Sequence, residues 1–375
     1  MIPLCLAALG LRLLLIPNTN IDVEGYERWY DFILRHGRFL ALGKEFAIYT
    51  PPYLYLLSLA TLTESFLPRL TAIKLIPVFF DFINAFIVFK IVRFKDPAGN
   101  WPWAAAGIFL FTPTIWMNSA LWGQIDSLYT CFLLICLYCV LSDKPIPAVI
   151  AFGAASAIKA QAVFMVPFLF LLAIKKKIPW PSFFLIPIVY LGMMVPSILA
   201  GRPLLGVFTV YLGQANEFQI PSFNSPNWYV LVPQSAYHSA LLAGLTTAIA
   251  VVSVWLFVYG RKKFVFTPAL LVFTGLVSVA LVPFILPKMH DRYFYPADVF
   301  SLLLMFYRPK FWFIAVAYQV ISILAYSVFL FDAPRQVSLI LALQLNTFVL
   351  AYLLWKQSRL VRDASGVPDP TRVKS

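Results

Sequence analysis

Residues 160–200 read AQAVFMVPFLFLLAIKKKIPWPSFFLIPIVYLGMMVPSILA, two apolar runs joined by Lys175-Lys176-Lys177. Cytoplasmic loops collect Lys and Arg during insertion, so the pattern is that of membrane helices meeting at a cytoplasmic turn. The rest of the 375 residues agrees: 61% are apolar, 17% aromatic and only 12% charged, about half the charge of a soluble domain. The apolar share is enough for about eleven or twelve spans of roughly 20 residues. It excludes a soluble enzyme, a disordered chain and a nucleic-acid binder. The net charge of +13 then reflects basic cytoplasmic loops rather than a polyanionic partner.

Outward from 160–200, apolar segments fall at 1–17, 70–93, 103–119, 125–142, 146–158, 160–174, 180–200, 236–259, 267–287, 293–307, 311–331 and 337–355. Basic junctions stand at 90–95, 175–177, 261–263, 308–310 and after Lys356. Placing them all in the cytoplasm predicts an all-α, polytopic transmembrane bundle of about twelve spans. It forms a single domain over 1–355 with both termini inside, followed by a basic cytoplasmic tail over 356–375. The stretch 146–174 is too long for one ordinary span and too short for two full ones. Because Lys144 and Lys175 belong on one side, it is read as two short, broken helices meeting around Ser156–Gln161. The first 17 residues lack a basic start and a small-residue cleavage site, and are read as a retained first helix.

Segments 18–69, 201–235 and 288–292 then face the opposite compartment. In the first of these, Tyr26, Trp29, Tyr30, Ile33 and Leu34 recur at helical spacing, with Glu27, Arg28, Asp31 and Arg35 on the other face. This predicts an interfacial helix, supported by Glu24–Arg28 and Asp31–Arg35 at i, i+4. After the Thr50-Pro51-Pro52 break, Tyr53–Leu59 predicts a second segment resting on the membrane. Cys136 and Cys139 form a CxxC without a neighbouring His or acid, which points to packing rather than metal or redox chemistry. No glycosylation sequon is present.

Four places carry candidate chemistry. Asp22 directly follows the first span, where a carboxylate can take a proton from a hydroxyl; a helix N-cap is its alternative role. Trp122-Gly123-Gln124-Ile125-Asp126-Ser127 turns one span into the next, and Gln124 and Asp126 offer hydrogen bonds there, with helix capping as Asp126's alternative. Lys288-Met289-His290-Asp291-Arg292-Tyr293 is a charged knot whose cations either anchor at the interface or hold a lipid-linked phosphate. Lys159, followed by Gln161, sits in an apolar stretch, as do Asp81, Arg12 and Lys74; an ionisable group inside a bundle is functional by default. Lys159 either binds phosphate or substrate, or pairs structurally with Asp81.

In chain order, Asp22, Tyr49-Thr50-Pro51-Pro52-Tyr53, Trp122-Gly123-Gln124-x-Asp126-Ser127, Lys159-x-Gln161 and Pro287-Lys288-Met289-His290-Asp291-Arg292-Tyr293 resemble integral-membrane glycosyltransferases of the GT-C superfamily. The likeness is to prokaryotic mannosyltransferases related to the GPI-anchor mannosyltransferases, and it spans roughly residues 10–300. It implies transfer of a hexose, mannose favoured, from a polyprenyl-phosphate donor to a lipid, glycan or protein acceptor on the non-cytoplasmic face of a membrane, the bacterial inner membrane favoured. The acidic residue of the first outer loop, taken as the base in that superfamily, maps onto Asp22, with Glu24 able to exchange roles. The 288–293 element implies a place near the donor phosphate, with Asp291 where many relatives have Glu. Gln124, Asp126, Lys159, Gln161, His290, Asp291, Arg292 and Tyr293 are then substrate-binding.

Direct displacement at an anomeric carbon needs a base opposite the leaving group and favours cations beside the departing phosphate. Asp22, Lys159 and Arg292 are expected to supply these from one chamber. Asp22, Glu24 and Asp126 could alternatively cradle a divalent cation; the reading adopted needs no metal or cofactor. A transporter or flippase of a lipid-linked or sugar substrate is the main rival, against which the halves show no convincing repeat. A non-catalytic scaffold would explain the helices but not these polar groups.

Overall fold

The computed structural model describes residues 1–217 and 219–365 of an almost wholly helical chain. Phe218 and the end of the expected tail, 366–375, lie outside the described residues. In chain order the helices are α1 (Ile2–Leu15), α2 (Ile21–Arg35), α3 (Pro51–Ala60), α4 (Arg69–Arg93), α5 (Trp101–Phe111), α6 (Pro113–Trp122), α7 (Asp126–Leu141) and α8 (Pro145–Ile158). They continue as α9 (Val166–Ile174), α10 (Leu185–Leu199), α11 (Leu204–Glu217), α12 (Tyr237–Arg261), α13 (Pro268–Ile285), α14 (Tyr295–Tyr307), α15 (Trp312–Leu330) and α16 (Arg335–Ala364).

Six helices have the length and apolar composition to cross a membrane: α4, Trp180–Leu199 (containing α10), Gln234–Arg261 (α12), α13, Pro309–Leu330 (α15) and α16. The bent pair α5–α6 makes up to seven. These are the marks of a helical membrane protein. They are fewer than the twelve spans read from the sequence, and helix length is the reason. Ile2–Leu15, α7, α8, Ala160–Ile174 and α14 are apolar but have only 10–17 residues, and a 16-residue helix is about 24 Å long against a hydrocarbon core of about 30 Å. The segment 103–119, read as one helix, is two. Pro113 has no N–H and restricts the residue before it, so Thr112 is extended (ψ 126°) and the axis bends by 49°.

The chain gathers into two compact units. The first comprises Met1–Val163 and Pro179–Gln219; α4 packs on α5 and α7, α7 on α8, and α8 on α10. Two buried cations hold its interior together. Arg12 Nε donates to Asp81 Oδ2 at 2.8 Å, and Ser119 Oγ donates to the same oxygen at 2.6 Å. Lys74 Nζ donates to the carbonyls of Asn18, Ala120 and Leu121 at 2.5, 3.0 and 2.8 Å. These charges therefore serve structure. On α2, Glu27 and Asp31 both pair with Arg69 of α4, at 3.0 and 2.7 Å. α3 leaves Leu59 exposed but is packed along its other side. Pro51, Pro52, Tyr53, Leu54 and Leu57 are buried where it meets α2, α4, α8 and α10.

The second unit comprises Phe164–Ile178 and the chain from Ile220. Here α13 packs on α14 and α16, and α15 on both α14 and α16. α16 runs on to Ala364 through residues expected in a tail, because Gln357 and Val361 are buried and Gln357 Oε1 accepts from Trp255 Nε1 at 2.9 Å. Two short parallel strands, β1 (Ser222–Phe223) and β2 (Met289–His290), pair in register Ser222 with Met289 and Phe223 with His290.

Candidate functional site

The first unit assembles its site around the start of α2. Asn20, not Asp22, is the N-cap: its Oδ1 accepts from the backbone N–H groups of Asp22 and Val23, each at 3.1 Å. Its Nδ2 donates to the Trp122 carbonyl at 2.9 Å. Asp22 therefore has its carboxylate turned to other donors. Trp122 Nε1 and Gln124 Nε2 both reach Oδ2, at 2.9 and 2.6 Å. Hydrogen bonds to a charged group contribute about 1.5–3 kcal/mol each, and the positive end of α2 adds to them. Trp122 and Gln124 are fully buried while Asp22 is only half-buried. The result is a half-buried carboxylate on a rigid mount.

The mount depends on how α6 ends. Residues Met117–Trp122 form a π-turn, a geometry common at functional sites. Gly123 follows at φ 85°, and the Gln124 N–H closes the turn on the Asn118 carbonyl at 2.8 Å. A Cβ on Gly123 would come within 2.8 Å of Val23 Cγ2. Both the backbone sign and the space require glycine here. Lys74, bonded to the carbonyls of Ala120 and Leu121, fixes the same turn from the α4 side.

Lys159 comes from a helix break of the kind read from the sequence. α8 stops at Ile158, and Lys159 is extended (φ −149°, ψ 134°). The last carbonyls of α8 take outside donors instead: Thr50 Oγ1 to Ile158 O at 2.8 Å, and Tyr211 OH to Ser156 O at 2.6 Å. The buried ammonium meets Asp126 Oδ1 at 2.5 Å, and Asn118 Nδ2 donates to Asp126 Oδ2 at 2.9 Å. This replaces the expected alternative of a Lys159–Asp81 pair, since Asp81 is held by Arg12. It also removes Asp126 from a capping role: the residue opens α7, whose N-cap is Ile125.

The two halves are connected. Gln124 Oε1 accepts from Tyr26 OH at 3.1 Å, and Tyr26 OH and Tyr49 OH are 3.0 Å apart. Lys159 Nζ lies 5.7 Å from the ring centres of both Tyr49 and Tyr129, within cation–π reach. Asp22, Gln124, Tyr26, Tyr49, Lys159 and Asp126 thus form one continuous polar and aromatic path. Tyr26, Trp29, Tyr49 and Tyr53 wall it, with ring centres 5.3–5.8 Å apart. Burial pushes the Tyr53 phenol well above its ordinary value, so it stays protonated.

Glu24 stays apart from this group. It is exposed and lies about 200° around α2 from Asp22. Gln161 is half-buried, and its Oε1 has no hydrogen-bond partner among the described residues. Among the described residues no three His, Cys, Asp or Glu side chains gather into a metal-binding group, so Asp22, Glu24 and Asp126 do not form the alternative cation cradle.

In the second unit the charged knot is a clasp. Lys288 N–H donates to Pro221 O at 2.7 Å and Asp291 N–H to Phe223 O at 2.9 Å, on either side of the β1–β2 pairing. The His290 ring stacks on Phe223 at 4.2 Å, and Tyr293 lies 4.9 Å from it. Asp291 and Arg292 are buried, with 3.6 Å between Oδ1 and Nη1, and Lys288 Nζ reaches Tyr237 OH at 3.1 Å.

Asn20, Tyr26, Tyr49, Asn118, Trp122 and Tyr129 were not singled out as site residues by the sequence. Trp122 and Tyr49 stood inside quoted motifs, which was their only signal; Tyr26 read as an interface aromatic. No protein-family model matches the chain, and no curated protein is found similar to it.

Proposed function

We propose that this chain is an integral-membrane glycosyltransferase of the GT-C type. It moves a hexose, mannose by preference, from a polyprenyl-phosphate donor to an acceptor hydroxyl on the non-cytoplasmic face of a membrane, in bacteria the inner membrane. The observation that carries the reading is the half-buried Asp22 carboxylate, oriented by Trp122 and Gln124 and connected through Tyr26 and Tyr49 to Lys159.

In this reading the acceptor oxygen attacks the anomeric carbon and its proton passes to Asp22. The bond from that carbon to the phosphate oxygen breaks, and its electron pair leaves with the phosphate. The Tyr26–Trp29–Tyr49–Tyr53 wall offers aromatic faces to the sugar. Lys159 is chiefly a positioning residue, since Asp126 already balances its charge. The matching topology has twelve crossings, with the five shorter helices Ile2–Leu15, α7, α8, Ala160–Ile174 and α14 counted beside the seven longer ones.

The test is incubation of the purified chain with polyprenyl-phosphate mannose, glucose and arabinose plus a membrane-lipid extract, read by mass spectrometry. A product heavier by one sugar residue, with free polyprenyl phosphate, supports the reading. A transporter is the second reading, favoured by the interrupted helices at Thr112–Pro113 and Lys159, a feature of transporter substrate sites. Uptake into sealed vesicles without covalent product would establish it and overturn the first.

A further inference from the structure

A second cleft adjoins the segment that leads to Tyr49. Between the 45–48 segment and α11 lies a cleft of about 640 Å³, lined by Glu45, Arg202, Gly206, Thr209, Gly213 and Gln214 among others. Arg202, in the turn joining α10 to α11, is only 4% exposed. Its Nε and Nη1 have no hydrogen-bond partner among the described residues. A buried guanidinium with idle donors is costly unless something fills them.

The position of Arg202 is built, not incidental. Its N–H donates to Ser197 O at 3.0 Å, and Gly201 before it takes φ 105°. Gly43 packs so closely on the Ala200 carbonyl that any Cβ there would collide with it. Gln214 Nε2 donates to the Ile48 carbonyl, tying the far wall of the cleft to α11. Glu45 is exposed and rests against Gly206; water screens its charge, so it moderates the Arg202 field without cancelling it. Burial disfavours the charged guanidinium and Glu45 partly offsets this; a bound anion would offset it further.

We propose that this cleft binds the phosphate of a phosphate ester, with Arg202 as the fork-shaped donor. The exposed Leu204, Leu205, Phe208 and Leu212 on α11 place an apolar surface beside it, which fits a membrane phospholipid as the source. A soluble phosphate ester shares the recognition chemistry. The proposal does not depend on the transferase reading, because direct binding reports it without turnover.

The experiment uses the purified full chain in a sugar-based detergent. Phosphatidylglycerol, diacylglycerol (the same lipid body without phosphate) and soluble glycerol 3-phosphate are titrated in separate arms, with bound ligand read by native mass spectrometry. Arg202→Gln removes the idle donors. Gly213→Leu fills the cleft instead, at a residue where a Cβ meets nothing within 4 Å and where leucine favours the helix. Retention of phosphatidylglycerol over diacylglycerol, weakened about tenfold or more by each variant, supports a lipid phosphate site. Equal sensitivity of glycerol 3-phosphate binding to both variants supports the site with a soluble source. No preference for phosphate over diacylglycerol, or variants that bind like the wild type, overturns it.

Discussion

In the first unit, Trp122, Gln124 and Asp126 aim their side chains at side chains from other elements: Asp22 of α2 and Lys159 beyond α8. In the second unit, the main chain of Lys288 and Asp291 bonds to Pro221 and Phe223 on either side of the β1–β2 pair, and the Lys288 side chain reaches Tyr237 OH. Both stretches are short, charged and set between apolar helices, so spacing alone marks them equally. The difference lies in what the backbone already does. Where the main chain closes the turn on itself through Gly123, side chains are available for each other and for a ligand. Where it builds strands, the side chains pack around them, as the His290 ring does on Phe223.

Four substitutions would break or sharpen this contrast. Lys159→Met has the largest expected effect on stability, because it leaves the Asp126 carboxylate buried without its cation. A loss of about 3–5 kcal/mol is expected, read by chemical unfolding in detergent, and Lys159→Met with Asp126→Leu should recover much of it. A single variant as stable as the wild type would show that the pair is not desolvated. Gly123→Ala should cost about 1–3 kcal/mol through its left-handed backbone and the approach to Val23, and should also lower transfer by displacing Gln124. Asn20→Ala removes the α2 cap at a cost of about 1 kcal/mol; the unfolding midpoint and the rate of transfer should fall together. Arg335→Ala deletes only an exposed hydrogen bond to Asn224 beside the clasp, and a change within about 0.5 kcal/mol is expected.

The helical membrane class was legible because composition reports the solvent directly. Helix ends were legible where polar residues or prolines mark them, as at α7, α8 and α13. The break at Lys159 could be read from the length of 146–174 together with Lys144 and Lys175 at its two ends. The bend at Pro113 was missed because the apolar run continues through it, and α11 because 201–235 reads as a loop. At the site, the 122–126 turn showed itself through Gly123 and its polar neighbours. The partners did not, since pairing is tertiary. Arg12 and Asp81 carry the same signature as Lys159 and Asp126, a buried charge in an apolar run, yet they meet each other, Ser119 and the carbonyls of Ala8 and Leu110. The Asp22 mount, one hundred residues away in sequence, has no local signal at all.

The most direct measurement of the central claim is single-turnover transfer by Asp22→Asn, with the unfolding midpoint recorded on the same sample. Asparagine keeps the shape of the side chain and an oxygen for Trp122 and Gln124 but cannot take a proton. The account predicts transfer slower by about 10²–10⁴-fold, as for loss of a general base, in a protein that still folds, its midpoint lowered only by the weakening of two charged hydrogen bonds to neutral ones. Near-wild-type transfer by a folded Asp22→Asn protein would contradict it.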